Sequence, residues 1–288
     1  MIQKIKGWLS PIVILTRKSV KIFLLRRSRI KYFHDTFDAD ENGFLYIVTG
    51  DGYAQECIFS IRSLKKYNNS KICVYSEEKY RALFEGECDF FCVINTKIKR
   101  PKVEYISQSP FKNTIYLDSD TFINYDITEL FDLLEKYDFC SAFCNARKRE
   151  NYSNLIPEYG LIPYSFSEVN SGVMVFNDSN AVKELFMNWK DYYYKFLGKT
   201  NGWDQPSLRV SLWNSNVKIC HLPPEYNVRP KSVYQKVKNN KHILGNMHME
   251  PRIYHMHYSP EVHNGKFEID DLNELKEKVE KLAIEITY

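Results

Sequence analysis

From Phe44 onward the chain alternates short apolar runs with stretches of helical spacing. Phe44-Leu-Tyr-Ile-Val-Thr49, Ile72-Cys-Val-Tyr75, Phe90-Phe-Cys-Val-Ile94, Thr114-Ile-Tyr-Leu-Asp118 and residues 139–143 are rich in β-branched and aromatic side chains, which predicts five strands. Between them Ile58, Ile61 and Leu64 recur at three-residue steps and predict a helix over 53–67. Shorter helices are expected over 80–84, 102–109 and 127–137. Strands that alternate with helices of this length imply βαβ units and a mostly parallel sheet.

Beyond residue 144 the spacing loosens. Residues 145–169 are polar and contain proline, which reads as loop. Val173-Met-Val-Phe176 predicts a strand, 179–197 and 203–213 predict helices, and 217–220 and 252–257 predict two late strands. Leu272, Leu275, Val279 and Leu282 share one stripe of a closing helix over 270–286. No repeat or linker interrupts the series, so 44–288 reads as one domain.

Charge changes the picture at the N-terminus. The net charge is +4, yet residues 1–34 hold nine of the 40 basic side chains and no Asp or Glu, leaving 31 basic against 36 acidic groups on the rest. A mildly acidic body behind a basic arm argues against nucleic-acid binding, which calls for a basic folded surface. Within the arm, apolar clusters such as Ile12-Val-Ile-Leu15 and Ile22-Phe-Leu-Leu25 are broken by cations. No window approaches the roughly 18–20 apolar residues needed to span a bilayer, and no cleavable signal pattern is legible. The arm therefore reads as a basic amphipathic helical segment suited to an anionic membrane surface, with Trp8 and Phe23 as anchors. The alternative is a plain N-terminal extension. The expected location is cytoplasmic, peripheral on the inner face of a membrane. The seven cysteines lie mostly in apolar runs, and the Cys88/Cys92 and Cys140/Cys144 pairs are spaced CxxxC, which implies reduced, buried thiols and not a zinc site.

The first strand-helix turn, Thr49-Gly-Asp-Gly-Tyr53, lacks the third glycine of a dinucleotide fingerprint, and no phosphate-binding Walker sequence is present. The chemistry instead gathers at Asp118-Ser-Asp120. A strand ending in Asp-x-Asp aims carboxylates at the carboxyl edge of a parallel sheet, where open α/β folds bind ligands. Two carboxylates there suit a hard divalent cation that also engages substrate phosphates. Two chemistries use this placement. Haloacid-dehalogenase-like phosphohydrolases carry Asp-x-Asp-x-Thr on their first core strand, whereas Thr121 here comes one residue early and three strands precede the triplet. The other chemistry is sugar transfer from a nucleoside diphosphate.

Five further stretches decide between them. Tyr46-Ile-Val-Thr-Gly-Asp-Gly-Tyr53 with Ser60-Ile-Arg-Ser-Leu64, Ser109-Pro-Phe-Lys-Asn-Thr-Ile-Tyr-Leu-Asp-Ser-Asp120, Asn170-Ser-Gly-Val-Met-Val-Phe-Asn177, Asp204-Gln-Pro-Ser-Leu208 and Leu222-Pro-Pro-Glu-Tyr-Asn227 follow in order. In these the chain resembles GT-A-fold glycosyltransferases, and among them the glycosyltransferase family 8-like nucleotide-sugar transferases. The resemblance covers most of 44–258. It implies an α/β GT-A fold, Rossmann-like, with helices flanking a mostly parallel sheet.

The resemblance also implies roles. Asp118 and Asp120 bind Mn²⁺ or Mg²⁺ and, through it, the donor diphosphate. His255 supplies a third ligand, with His257, two residues on, as the alternative. Thr49 and Tyr53 hold the nucleoside, Lys102 lies near the donor phosphate or sugar, Asn170 contacts the sugar, and Asp204 and Gln205 lie close to the reacting carbon. The implied reaction moves a hexose from a UDP-sugar to a glycan or lipid-linked acceptor, with retention. An inverting reaction would use Asp204 as general base, and a non-catalytic sugar-nucleotide-binding scaffold would keep the same residues. The run His257-Tyr-Ser-Pro-Glu261 departs from the family's Gly, Lys and Pro-Trp after that histidine.

Overall fold

The computed structural model describes residues 42–95, 98–229, 250–256 and 272–285. The basic arm over 1–34 and His257 lie outside the described residues. The first four strands follow the apolar runs: β1 (Asn42–Ile47), β2 (Lys71–Ser76), β3 (Phe90–Val93) and β4 (Asn113–Leu117). Helix α1 (Asp51–Lys65) follows β1, the short α2 (Arg81–Phe84) follows β2, and α3 (Lys102–Tyr105) precedes β4. The three-residue strand β5 (Thr121–Ile123) comes next, then a 3₁₀ segment over Thr128–Glu135 and β6 (Phe139–Phe143). Helices α4 (Glu150–Leu155) and α5 (Pro157–Gly160), β7 (Val169–Asn177), α6 (Asn180–Thr200), α7 (Gln205–Trp213) and β8 (Ile219–Leu222) complete the body. The described residues end with β9 (Ile253–His255) and α8 (Leu272–Glu285).

Seven strands form one sheet in the order β3-β2-β1-β4-β7-β6-β8. Neighbours are parallel except at β7, which runs antiparallel to both β4 and β6. The central strands are buried on both faces, which is why their apolar runs are continuous and not alternating. On one face α1 and the 3₁₀ segment bury Ile61, Leu64 and Phe131 against Phe44, Tyr46, Ile115 and Leu117. On the other, α6 lays Phe186 edge-on against Phe176 at 4.8 Å, and Trp189 is fully buried. Cys57, Cys73, Cys92, Cys140 and Cys144 are buried free thiols; Cys88 and Cys220 are partly exposed.

Besides the short strand β5, three features depart from the expectations. The segment over 145–169 is not simply loop: Tyr152, Ile156, Tyr159 and Ile162 build a satellite core against Phe196 and Val210. Arg209, fully buried, ties that segment to α7 by donating to the carbonyls of Tyr159, Ile162, Pro163 and Phe166. Strand β7 begins four residues before its apolar stretch, because Val169-Asn170-Ser171-Gly172 extends the same backbone through polar positions that line a cleft. The stretch over 127–137 winds as 3₁₀ and not as α-helix.

Strand β5, three residues long and absent from the sequence pattern, is held by α1. Ser63 Oγ accepts from Ile123 N at 2.9 Å and donates to Ser60 O, Ser60 Oγ bonds Thr121 Oγ1 at 2.7 Å, and Tyr46 OH bonds Ser60 Oγ at 2.9 Å. The seam is buried, so each of these groups depends on its neighbour. Ser63→Ala strands the Ile123 N–H in a dry interior. It is expected to lower stability by about 1–3 kcal/mol, measured as a shift in the urea midpoint with unchanged slope; an unshifted midpoint contradicts the seam.

Candidate active site and metal centre

The chain runs β1, β2, β3 to one side and then places β4 on the other side of β1. The carboxyl ends of β1 and β4 therefore flank the point where strand order reverses, and open α/β sheets bind ligands at such a point. Thr49 follows β1, Tyr53 lies in the first turn of α1, and Asp118, Ser119 and Asp120 follow β4. All of them line one cleft of about 460 Å³.

The strand pair β5–β9 brings the distant histidine to the same place. Thr121 stands opposite His255 in the register, and Met256 N donates to Asp120 O at 2.9 Å. His255 Nε2 then lies 3.2 Å from Asp120 Oδ1 and 3.8 Å from Asp118 Oδ2. Its other nitrogen, Nδ1, is 2.9 Å from Asn227 Oδ1. With the amide oxygen facing the ring, Nδ1 is the nitrogen that bonds Asn227 and Nε2 is the one turned to the carboxylates, the division of roles found in histidine ligands of metals. One ligand atom from each of Asp118, Asp120 and His255 falls within 4.8 Å of the others, and no other such group of His, Cys, Asp or Glu occurs among the described residues. Two carboxylates and one imidazole are a donor set that fits a divalent cation such as Mn²⁺ or Mg²⁺.

Beneath these carboxylates lies Lys102, only 4% exposed. Its ammonium donates to both Asp118 oxygens at 2.9 and 3.0 Å and to Ser171 O at 3.0 Å, and stands 3.6 Å from Asp204 Oδ2. Tyr116 OH adds a 2.6 Å bond to Asp118 Oδ1. A carboxylate has about four lone-pair directions, so Asp118 keeps one for a cation.

Asp204 precedes α7 and is buried. Burial pushes its carboxyl up, but Lys102, Arg100 and the 2.7 Å bond from Ser171 Oγ outweigh burial and hold it below the usual carboxylate range. It is therefore a fixed negative charge at neutral pH. Gln205 and Asn170 complete the wall: Gln205 Oε1 accepts from Arg149 Nη2 at 3.2 Å, and Asn170 Oδ1 accepts from Gly172 N at 2.8 Å.

Thus Thr49, Tyr53, Lys102, Asp118, Asp120, Asn170, Asp204, Gln205 and His255, scattered over 207 positions, all line the one cleft. Lys102 lies under the carboxylates as their shared counter-ion, and half-exposed Tyr53 stands at the other extreme. Sequence reasoning missed Tyr116, Ser171, Trp203, Arg100 and Arg229, which also line the cleft. Tyr116 was findable, since it shares a strand face with Asp118. Arg100 sits in a basic run that reads as surface.

Gly172 has its own reason to be glycine. A Cβ built there would meet His255 Cε1 at 2.1 Å and Asn170 Oδ1 at 2.9 Å. Gly172→Ala is expected to displace the imidazole and weaken Mn²⁺ binding on the order of 10- to 100-fold, read by calorimetry on protein whose circular dichroism is unchanged. Unaltered Mn²⁺ affinity would mean that His255 is not a ligand.

Comparison with known proteins follows the same lines. A family model described as "Glycosyl transferase family 8" matches residues 102–262. No curated protein sequence matches the chain. Among solved structures, the galactosyltransferase LgtC, in complex with donor and acceptor sugar analogs, superposes with a TM-score of 0.54 at 15% identity, over 85% of this chain and 96% of that one. The glycosyltransferase GlyE of Streptococcus pneumoniae gives 0.53 at 18% identity, over 83% and 61%. Mouse xyloside xylosyltransferase 1 gives 0.50 at 13% identity, over 75% and 97%. At these identities the likeness concerns the fold.

Proposed function

The chain belongs to glycosyl transferase family 8, and from that premise we propose that it moves a hexose from a UDP-linked donor to a glycan or lipid-linked acceptor, with a divalent cation, Mn²⁺ or Mg²⁺, and with retention of configuration. The observation that carries the reading is the convergence of Asp118, Asp120 and His255 at the switch point of the sheet. These three residues would hold the cation. When bound, it offsets charge on the diphosphate leaving group as the sugar–oxygen bond breaks.

The chain's own groups account for the rest. Tyr53, half exposed at the cleft, offers a ring face on which a pyrimidine stacks, beside Thr49. Asn170 and Gln205 present amides toward the sugar. Asp204, a buried charge that cannot be neutralised easily, faces the positive charge that develops at the anomeric carbon. The same fixed charge makes it a poor proton acceptor. Among the described cleft residues the only carboxylates are Asp118, Asp120 and Asp204, so with two assigned to the cation and one to Lys102, none remains as a general base. This supports retention, with the leaving phosphate taking the acceptor proton.

Asp118→Asn and Asp120→Asn are expected to cut Mn²⁺-dependent turnover of UDP-glucose or UDP-galactose by at least about 100-fold without unfolding the protein. Near-normal turnover in both variants removes the metal assignment.

The basic segment over 1–34 supports attachment to an anionic membrane surface, which suits a lipid-linked acceptor. A chain lacking residues 1–33 is expected to lose sedimentation with phosphatidylserine vesicles at low salt. Equal sedimentation of both chains assigns the attachment elsewhere.

A further inference from the structure

Gln205 lines the cleft beside Asp204, yet its carboxamide is held from behind. Arg149 Nη2 donates to Gln205 Oε1 at 3.2 Å and to Cys144 Sγ at 3.5 Å, while Arg149 Nε donates to Glu168 Oε2 at 3.1 Å. Glu168 is fully buried, and its other oxygen accepts from Tyr159 OH at 2.7 Å. The ring closes because Tyr159 OH accepts from the Arg149 backbone N–H at 2.8 Å. The guanidinium also lies over the Trp203 ring, 5.1 Å from its centre. It is thus clamped at its backbone, at Nε and on one face, with its Nη2 prong shared between Gln205 Oε1 and Cys144 Sγ, which itself lies 3.8 Å from that oxygen.

The chemistry of that prong fixes the amide. A guanidinium has donors only, so Gln205 must turn its oxygen toward Arg149. The NH₂ group then lies 3.5 Å from Val169 O, at the start of β7. An amide flip would set two donors against each other. We propose that Arg149 is a positioning residue that holds the Gln205 carboxamide in one orientation against the cleft, with Glu168 and Tyr159 as its clamp. The proposal rests on the reading of this cleft as a sugar-transfer site. It ties the geometry at the reacting end of the cleft to three side chains drawn from the segment between β6 and β7. Lysine cannot replace the arginine, since an ammonium is a point charge without the fork that reaches Glu168 and Gln205 together.

The test uses the full chain and four variants: Arg149→Met, Arg149→Lys, Gln205→Ala and the Arg149→Met/Gln205→Ala double. The chain has five glutamines, so ¹⁵N-glutamine labelling gives five side-chain NH₂ pairs, of which Gln205 is identified by its loss in Gln205→Ala. The Gln205 pair is expected to shift in both Arg149 variants while the other four stay in place. For Mn²⁺-dependent hydrolysis of UDP-glucose or UDP-galactose, Arg149→Met should lower kcat on the order of 10- to 100-fold with KM changed by less than about threefold. The double variant should be no slower than Gln205→Ala, and Arg149→Lys should not restore the rate. An unmoved Gln205 pair overturns the proposal, as do single-variant losses that multiply in the double. If Arg149→Met does not fold, Arg149→Lys, which keeps a cation beside Glu168, carries the spectral test. If the parent chain hydrolyses neither nucleotide sugar, the functional reading fails and the amide spectrum alone decides the clamp.

Discussion

Lys102 buries its ammonium between the carboxylates of Asp118 and Asp204 and caps the Ser171 carbonyl, so one charge joins the end of β4, the polar start of β7 and the N-terminus of α7. Without a cation at that point, the carboxylates of Asp118 and Asp204 would share the bottom of a partly dry cleft with no counter-charge between them. Removing one partner from a buried pair costs about 3–5 kcal/mol, even where the intact pair adds little over apolar packing. Lys102 is therefore less a source of stability than the counter-charge that lets the carboxylates of Asp118 and Asp204 line one cleft. Arg100, 3.8 Å from Asp204 on the solvent side, makes the balance more robust without replacing the buried contact.

Around that charge the backbone supplies precision. Asp118 N donates to Gly172 O at 2.8 Å, which anchors the acidic loop to β7. The β5–β9 pair sets His255 next to Asp120, and the hydroxyls of Ser60 and Ser63 on α1 hold β5 from below. Gly172 leaves space for the imidazole. Each contact is local, yet the set spans five elements, so loosening any one of them moves a ligand atom.

A second layer lies behind the reacting end. Trp189 Nε1 donates to Asp204 O at 3.1 Å, Arg209 gathers four carbonyls of the α4–α5 segment, and Arg149 reaches from that segment to Gln205. Residues between β6 and β7 thereby support the cleft wall without lining much of it, which is how a segment that reads as loop comes to matter for geometry.

The sequence alone determined what depends on neighbours along the chain. The apolar runs of β1, β2, β3, β4 and β6, the 3.6-residue stripe of α1 and the acidic turn after β4 were legible because each is decided within a few residues. Family-like stretches in order pointed to seven of the nine cleft residues, and the wider resemblance to Lys102 and His255, though spacing could not show that they meet. Tertiary structure decided the rest. The antiparallel course of β7 and its polar first half depend on the strands either side, and a three-residue strand such as β5 has no periodicity to read. Arg149 looks like a surface cation in the sequence, and for Lys102, which the resemblance sets near the donor, nothing within a few positions names its acid. Burying a charge is tolerated only when a partner is brought to it, and here the partners Asp118, Asp204 and Glu168 arrive through pairings of strands and helices far apart in the chain.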